Sequence, residues 1–215
     1  MPAAAIPFYP EYPYPEFIKE KITTSASEQK GAFVPEGEAV TFSGGSQGAQ
    51  RGTAYHRVLA LLPFSLEAER LPEFLRELAA KGLLADVERD FIEVKVLENV
   101  LRSDLWQRMR TAAERGRLKR EQPFILGQPL ISGDVTEQRM LQGVIDVFFE
   151  ENGELVLVDY KTDRLGGDDG EFKRVLRERY AGQMEVYKRA LESSMGLPVR
   201  EVWLYGISRD MTVLV

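Results

Sequence analysis

The stretch Leu141 to Asp163, LQGVIDVFFEENGELVLVDYKTD, decides the fold because it contains two apolar strands around one tight turn. Asn152-Gly153 stands between runs of apolar, β-branched and aromatic residues. Asn-Gly is the strongest short-range signal for a hairpin, since both central positions of a type I′ turn need a positive φ. The stretch therefore predicts a β-hairpin with its turn at these two residues.

A two-residue turn also predicts which side chains face one another across the hairpin. Glu151 then faces Glu154, and the same register places Asp146 directly opposite Asp159, with Cβ atoms roughly 4.5–5.5 Å apart. Lys161 is two residues after Asp159 in the same strand, so the two side chains lie on the same face. We expect two carboxylates and one ammonium group to lie close together.

Both faces of this hairpin are otherwise apolar, which is typical of strands inside a sheet covered by helices. The aspartate face carries Val144, Phe148, Leu155 and Leu157, and the reverse face carries Ile145, Val147, Phe149, Val156 and Val158. Two opposed carboxylates in that setting repel each other and lose hydration. A hard divalent cation between them would offset both costs. The alternative is an exposed sheet end where Lys161 is a simple salt-bridge partner.

A helix predicted from about Glu171 to Ser193 carries one polar residue in an apolar stripe. The stripe follows helical spacing and consists of Phe172, Leu176, Tyr180, Gln183, Tyr187 and Leu191. A buried amide needs a hydrogen-bond partner. Gln183 is therefore either a core amide bonded to a neighbouring strand or a group at an active-site rim, where it could bind a nucleotide or a metal-bound water.

His56, the only histidine, lies in the first convincing helix, which opens at Gly52 and ends before Pro63. One interpretation is a half-buried capping histidine. The other is a metal ligand, and an imidazole suits Mn²⁺ better than Mg²⁺. The metal is therefore left open between Mg²⁺ and Mn²⁺.

Glu121 begins the first predicted strand, EQPFIL, in which Pro123 indicates an edge or a bulge. Glu121 is either a carboxylate that orients a metal ligand or an ordinary edge charge. The preceding run RTAAERGRLKR, residues 110–120, is the densest positive stretch of the chain. It is either a solvated connection or a DNA-backbone contact.

Candidate DNA-binding residues come from this run and from the segment after the hairpin. They are Arg117, Lys119, Arg120, Arg164, Lys173, Arg174 and Arg177. The residues of the later helix could line a groove for single-stranded DNA. Alternatively, they pair with Glu171, Glu178 and Glu185 on a solvated helix face.

Composition limits the function classes. The 215 residues suit one domain with an extended arm, and we expect an arm or linker with a flexible Gly/Ser loop over 1–50 and a domain over 51–215. The absence of cysteine excludes thiolate zinc sites and cysteine-ligated iron–sulfur clusters. No phosphate-binding loop motif is present, so no bound nucleotide is expected. No membrane span or signal peptide is visible, which favours a cytoplasmic location.

The net charge of −6 argues against strong independent binding to duplex DNA, because phosphate neutralisation supplies most of the affinity of such proteins. If the chain is a nuclease, we expect the strand to be delivered by another protein or to lie in a small basic groove.

Three motifs together resemble the PD-(D/E)XK nuclease core of the RecB/AddA type. They are Gly52-Thr53-x-x-His56, Gly143-x-Ile145-Asp146 followed by Asp159-Tyr160-Lys161-Thr162, and Tyr180-x-x-Gln183-x-x-x-Tyr187. The likeness extends from about Gly52 to the C-terminus and is closest to the AddA nuclease domain. The predicted order of helices, strand, hairpin, helix and two strands indicates an α/β fold with a mixed central sheet flanked by helices. The resemblance implies that this fold is of the restriction-endonuclease type.

The resemblance also implies roles for residues. Asp146, Asp159, His56 and the carbonyl of Tyr160 would bind Mg²⁺ or Mn²⁺, and Lys161 would act in catalysis. Glu121, Tyr180, Gln183 and Tyr187 would orient ligands or position the strand. The expected activity is metal-dependent hydrolysis of DNA of the exonuclease type, without strong sequence preference.

The family further implies a partnership with other proteins. The expected partners are single-stranded DNA delivered by a helicase, the AddA helicase body and an AddB-like second subunit, in repair of double-strand breaks by recombination. Two alternatives stay open: a stand-alone phage-like exonuclease, and a catalytically inert nuclease-like module that binds DNA or protein.

Overall fold

A computed structural model of the chain describes residues 23–25, 46–132 and 135–215, with side chains described at 47–129 and 139–215. Its helices in these ranges are α1 (Ser46–Leu61), α2 (Leu71–Ala80), α3 (Asp86–Arg89), α4 (Val94–Arg102), α5 (Asp104–Glu114) and α6 (Asp169–Met195). The strands are β1 (Thr23–Ser25), β2 (Leu118–Ser132), β3 (Val135–Glu151), β4 (Glu154–Lys161), β5 (Val199–Gly206) and β6 (Met211–Leu214). The predicted α/β class is confirmed.

These six strands form one mixed sheet with β3 in the interior. β2 runs antiparallel along one edge of β3, and the other edge is shared by antiparallel β4 and the short parallel β1. Parallel β5 and then antiparallel β6 extend the sheet beyond β4. Within the described residues β2 pairs with β3 alone, so Pro123 lies on an edge strand as expected.

The predicted hairpin is confirmed. Asn152 and Gly153 have φ values of 55° and 82°, the two positive values that a type I′ turn requires. β3 and β4 pair in the expected register, from Glu151 opposite Glu154 to Val147 opposite Val158. The next position in this register belongs to Asp146 and Asp159.

The sheet has a hydrophobic core on each face. On one face α1, α2, α4 and α5 bury Tyr55 and Trp106 in a cluster that includes Phe149. On the other face α6 contributes Phe172 to a cluster that includes Leu157. Residues 155–161 of β4 are all buried, which confirms that the two-sided apolar pattern marks a covered strand.

The expected alternation of faces is wrong at one point of β3. Ile145 and Phe148 were assigned to opposite faces, but both belong to the cluster on the α6 side, whereas Val147 belongs to the opposite cluster. The pleat therefore changes phase at Asp146. The neighbouring strand is irregular at the same level, because Glu121 has a φ of 46°, a left-handed conformation that interrupts regular pleating.

The beginning of α1 also differs from the expectation. The flexible Gly/Ser loop expected within residues 1–50 is wrong for residues 46–50, because the helix begins at Ser46 rather than at Gly52. Gly, Ser and Gln favour a loop only weakly, and packing of the same helix further along overrides that local preference. Residues 1–22 and 26–45 of the expected arm or linker lie outside the described residues, and the domain boundary at residue 51 stays a prediction.

The first long strand begins earlier than expected, at Leu118 rather than at Glu121. The end of the basic run is therefore part of the sheet rather than a solvated connection. The later elements agree closely: α6 spans Asp169–Met195, and the two final strands are present. None of the described helices is long and apolar enough to span a membrane.

Candidate active site

A cleft of about 570 Å³ opens beside the C-terminal end of β4. Residues from four elements line it: His56 from α1, Glu121 from β2, Tyr160 and Lys161 from β4, and Tyr180 from α6. All of these residues were predicted as site residues from the sequence. The fold therefore brings together positions that are more than a hundred residues apart in the chain.

α1 approaches the end of β4 closely because Gly52 has no side chain there. A Cβ atom at this position would lie 3.3 Å from Thr162 Oγ1, which is tighter than ordinary van der Waals contact. The preceding residue, Arg51, donates from Nη1 to the carbonyl oxygen of Thr162 at 3.1 Å. These contacts set the distance between the helix that carries His56 and the strand that carries Lys161.

Three acidic residues lie at one level on neighbouring strands: Glu121 on β2, Asp146 on β3 and Asp159 on β4. The β2–β3 pairing keeps one register on both sides of Glu121 and Asp146, but these two do not form a ladder pair. The β3–β4 ladder ends one pair before Asp146 and Asp159. The three acids therefore lie where the β2–β3 ladder is interrupted and the β3–β4 ladder ends.

Asp146 connects β3 to β4 and to α1. Its Oδ2 accepts a hydrogen bond from the backbone N–H of Tyr160 at 2.8 Å, and its Oδ1 lies 3.2 Å from His56 Nδ1. Burial acts to lower the pKa of His56, but the hydrogen bond and charge of Asp146 outweigh it and raise that pKa above 6.5. His56 is thus directed at an acid of the sheet rather than at a cap of its own helix.

Asp159 is buried, with 2% of its surface exposed, and forms an ion pair with Lys161, which is 6% exposed. Burial raises the pKa of Asp159, the ammonium group of Lys161 opposes this rise, and the charge of Asp146 adds to it. Oδ2 is the Asp159 oxygen that faces the Lys161 ammonium group in this ion pair.

The ammonium group of Lys161 is held from three directions. In addition to the ion pair with Asp159, Nζ donates to Gln183 Oε1 at 3.0 Å and lies 4.1 Å from the centroid of the Tyr180 ring. Gln183 Nε2 donates in turn to Tyr187 Oη at 2.8 Å. Residues of α6 therefore determine where the lysine of β4 points.

Gln183 is a buried core amide, 2% exposed, bonded to a residue of the neighbouring strand. It is not the rim residue of the alternative interpretation, although its partner is the candidate catalytic lysine. Tyr187 is buried as well, and of the three α6 residues Tyr180 is the one that lines the cleft. Tyr180 therefore borders the cleft, whereas Gln183 contacts Lys161 and Tyr187 contacts Gln183.

Glu121 lines the cleft and is exposed at its outer edge. Partial burial raises the pKa of Glu121, and the negative charge of Asp146 raises it further. The electrostatic link to Asp146 is compatible with the predicted role in orienting a ligand. That role stays a prediction.

Most of the predicted DNA-binding residues make contacts within the protein. Ion pairs join Arg117 to Glu150, Arg164 to Glu93 and Arg174 to Glu178. Arg120 donates to the carbonyl of Ala60 at the end of α1, and Arg177 to that of Leu214. Lys119 and Lys173 are exposed. Arg174 thus pairs with a glutamate of its own helix, as the alternative interpretation predicts. DNA binding by these seven residues stays a prediction.

The donor chemistry fits a divalent cation. Asp146, Asp159 and the carbonyl of Tyr160 offer the oxygens that Mg²⁺ prefers, and His56 adds a nitrogen that Mn²⁺ accepts. Two buried acids on neighbouring strands, Asp146 and Asp159, with His56 in contact with Asp146, are the observation that favours this fit. Among the described residues no three His, Asp or Glu side chains are gathered closely enough to hold a metal ion. The Asp159 carboxylate pairs with Lys161 in this structure.

The sequence reasoning missed Asp163, which follows the D-Y-K-T motif directly and lines the same cleft. Its carboxylate accepts a hydrogen bond from Tyr180 Oη at 2.7 Å and pairs with Arg179 at 2.5 Å. Ser208 Oγ donates to its backbone carbonyl. An acid just beyond a strand that ends in a candidate catalytic lysine was the available signal, whereas Arg179 and Ser208 give none.

Two acids on neighbouring strands, a buried lysine that lines the cleft and an α6 glutamine bonded to that lysine are the features expected of the nuclease core. Residues 31–211 match the family model of the PD-(D/E)XK nuclease superfamily. Since this match covers most of the chain, the protein belongs to that superfamily, and the predicted resemblance is confirmed.

Curated relatives point to one kind of protein within the superfamily, the AddA subunit of ATP-dependent helicase/nucleases. The chain is 31% identical to that of Lachnoclostridium phytofermentans over an alignment of 203 positions, which covers 75% of this chain and 14% of the relative. For Lysinibacillus sphaericus the identity is 34% over an alignment of 172 positions, which covers 77% of this chain and 13% of the relative. For Alkaliphilus metalliredigens the identity is 30% over an alignment of 226 positions, which covers 94% of this chain and 18% of the relative. The chain thus spans less than a fifth of the length of these relatives.

Proposed function

We propose that this chain is a nuclease domain that hydrolyses DNA phosphodiester bonds with Mg²⁺ or Mn²⁺, from strand ends and without strong sequence preference. One observation carries the proposal: the Asp159–Lys161 ion pair lies next to the Asp146–His56 contact at the end of β4. This group stands beside an open cleft in a chain of the nuclease superfamily.

Each residue of the group has a role in this proposal. Asp146, Asp159, His56 and the carbonyl of Tyr160 would hold the metal ion. When bound, the ion supplies polarisation of the scissile phosphate and lowers the pKa of a bound water. Lys161 orients the attacking water and stabilises the negative charge that develops on the phosphate. Its burial suits this role, because charge interactions are stronger where water is excluded.

The charges on the surface favour a delivered substrate. The net charge is −6, and several candidate DNA-binding arginines are already paired with glutamates. Weak independent DNA binding follows from this balance. The relatives are named as helicase/nuclease subunits, which supports delivery of one unwound strand by a helicase.

The proposed setting follows from those relatives. The chain would be the nuclease module of an AddAB-type helicase–nuclease, together with an AddA helicase body and an AddB-like second subunit. Such a complex would act in the cytoplasm in the repair of double-strand breaks by recombination.

The test is incubation of the purified chain with end-labelled single-stranded DNA and Mg²⁺ or Mn²⁺. The matched variants are Asp159→Ala in the site and Asp169→Ala on the surface, where the side chain is 71% exposed. We expect cleavage by the wild type and by Asp169→Ala, and none by Asp159→Ala or in the presence of a chelator. Cleavage that persists in Asp159→Ala would contradict the site assignment. Absent cleavage with retained DNA binding would instead favour an inert module.

A further inference from the structure

Asp163 lies two residues after the end of β4, and both of its carboxylate oxygens have a partner. Oδ1 pairs with Arg179 and Oδ2 accepts from Tyr180 Oη, so two consecutive residues of α6 bind one acid. The Asp163 side chain is 16% exposed. Charge-assisted hydrogen bonds of this kind are among the stronger polar contacts in proteins.

The backbone around Asp163 is fixed as well. Ser208 Oγ, from the connection between β5 and β6, donates to the carbonyl of Asp163. Arg51 donates to the carbonyl of the preceding residue, Thr162. The Asp163 carboxylate therefore occupies a fixed point relative to the sheet and can hold the α6 side chains that bind it.

Tyr180 links this fixed point to the candidate catalytic lysine. Its hydroxyl donates to Asp163, while its ring lies 4.1 Å from Lys161 Nζ. An ammonium group over an aromatic face is attracted to it, and the attraction grows where water is excluded. Burial raises the pKa of Tyr180, and the charge of Asp163 adds to the rise, so the phenol keeps the proton that it donates.

We propose that Asp163 is a positioning residue for Lys161: it fixes the Tyr180 ring, and the ring fixes the ammonium group. The consequence for catalysis rests on the proposed nuclease function, whereas the geometric link does not. Asp159 and Gln183 hold the ammonium group from other directions. Loss of Asp163 therefore loosens Lys161 without releasing it.

A purely structural role for Asp163 makes a different prediction. In that case the acid only anchors α6 through Arg179, and its loss lowers stability without moving Lys161. The two roles are separated by measurements on Lys161 itself, by comparison with Tyr180→Phe, which keeps the ring and loses the hydroxyl, and by a surface control. Asp169→Asn is that control, because Asp169 is also paired with an arginine, Arg209, but is 71% exposed.

The first measurement needs no activity and no metal. In protein labelled with [¹³C]lysine, the Lys161 CεH₂ signal is assigned by its loss in Lys161→Met. We expect the Tyr180 ring current to move this signal away from those of the other lysines. Asp163→Ala and Tyr180→Phe should return it towards the ordinary position, and Asp163→Asn should return it partly. Asp169→Asn should leave it unchanged.

The second measurement is steady-state cleavage of single-stranded DNA by the same variants. We expect Asp163→Ala to lower kcat about tenfold with less than a twofold change in KM, as for a displaced catalytic group. Since both residues act along one path, the Asp163→Ala/Tyr180→Phe double variant should lose no more than the larger single effect.

The proposal is overturned if folded Asp163→Ala has the Lys161 signal and the kcat of the wild type. If Asp163→Ala fails to fold, the same result for Asp163→Asn and Tyr180→Phe overturns it. Multiplying effects in the double variant would overturn it too. If the wild type lacks nuclease activity, the proposed function fails, but the Lys161 signal still decides whether Asp163 positions the lysine.

Discussion

The backbone N–H of Tyr160 donates to Asp146 Oδ2 at 2.8 Å, so an acid of the candidate site also joins two strands of the sheet. The β3–β4 ladder ends just before this level, and the side chain of Asp146 takes the place of a ladder acceptor. Asp146 therefore has a structural role and a chemical role that substitutions can separate.

Asp146→Asn should keep the structural role and lose the chemical one. The amide oxygen can still accept from Tyr160, so we expect the free energy of unfolding to change by less than about 1 kcal/mol. The negative charge is lost, and nuclease activity should fall at least about a hundredfold. Asp146→Ala should, in addition to this loss of activity, lower the free energy of unfolding by about 1–3 kcal/mol, because a buried N–H loses its acceptor. Urea unfolding and a cleavage assay check both variants; equal stability of the two would contradict the structural role.

Lys161→Met should abolish most of the activity. The ammonium group is buried between Asp159 and Gln183, where it can stabilise charge on a substrate without reorganisation. We expect kcat to fall by about a hundredfold or more. Lys173→Met is the control, since Lys173 is exposed on α6 and should retain wild-type kcat. Comparable rates for Lys161→Met and the control would show that the lysine is only structural.

Arg108 should stabilise the end of the hairpin away from the cleft. It pairs with Glu151 at 2.7 Å and with Glu201 at 2.8 Å. We expect Arg108→Ala to lower the free energy of unfolding by about 1–2 kcal/mol without changing kcat. Chemical unfolding and the cleavage assay provide the measurements, and a fall in kcat would place Arg108 within the catalytic machinery.

The same ion pairs predict a dependence of stability on pH. The hydrogen bond and charge of Arg108 lower the pKa of Glu201 below 4.5 in the folded protein. A lowered folded pKa means that this stabilisation is complete above the unfolded value and is lost as the pH falls through the folded value. Unfolding curves below pH 5 should therefore show a smaller loss of stability in Arg108→Ala than in the wild type. Parallel curves for the two proteins would refute the assignment.

Gly153→Ala should destabilise the hairpin only because alanine is strained at the positive φ of this position. Gly153 has a φ of 82°, and an added Cβ would meet no atom within 4 Å, so strain is the only cost. We expect a loss of about 1 kcal/mol in the free energy of unfolding. Gly48→Ala is the matched control: the space is also open, but the residue is helical, and alanine should be neutral or stabilising there. Equal effects of the two substitutions would show that the turn conformation does not matter.

The sequence by itself was sufficient to predict the hairpin and its register from Glu151 opposite Glu154 to Val147 opposite Val158. These features depend on a two-residue turn and on the regular period of a strand, which are local properties. The likeness of three motifs to one nuclease family added the superfamily, which the match over residues 31–211 confirms. Boundaries were less predictable: α1 begins at Ser46 because packing overrides a weak local preference for a loop.

Only the tertiary structure showed how the site is supported. The change of pleat phase at Asp146 arises where Glu121 of another strand takes a left-handed conformation, and no periodicity within one strand contains that information. The contacts of Lys161 with Gln183 and Tyr180, and of Tyr180 with Asp163, join β4 to α6. Such contacts depend on how a helix docks on a sheet, which is decided by packing between distant parts of the chain rather than by local pattern.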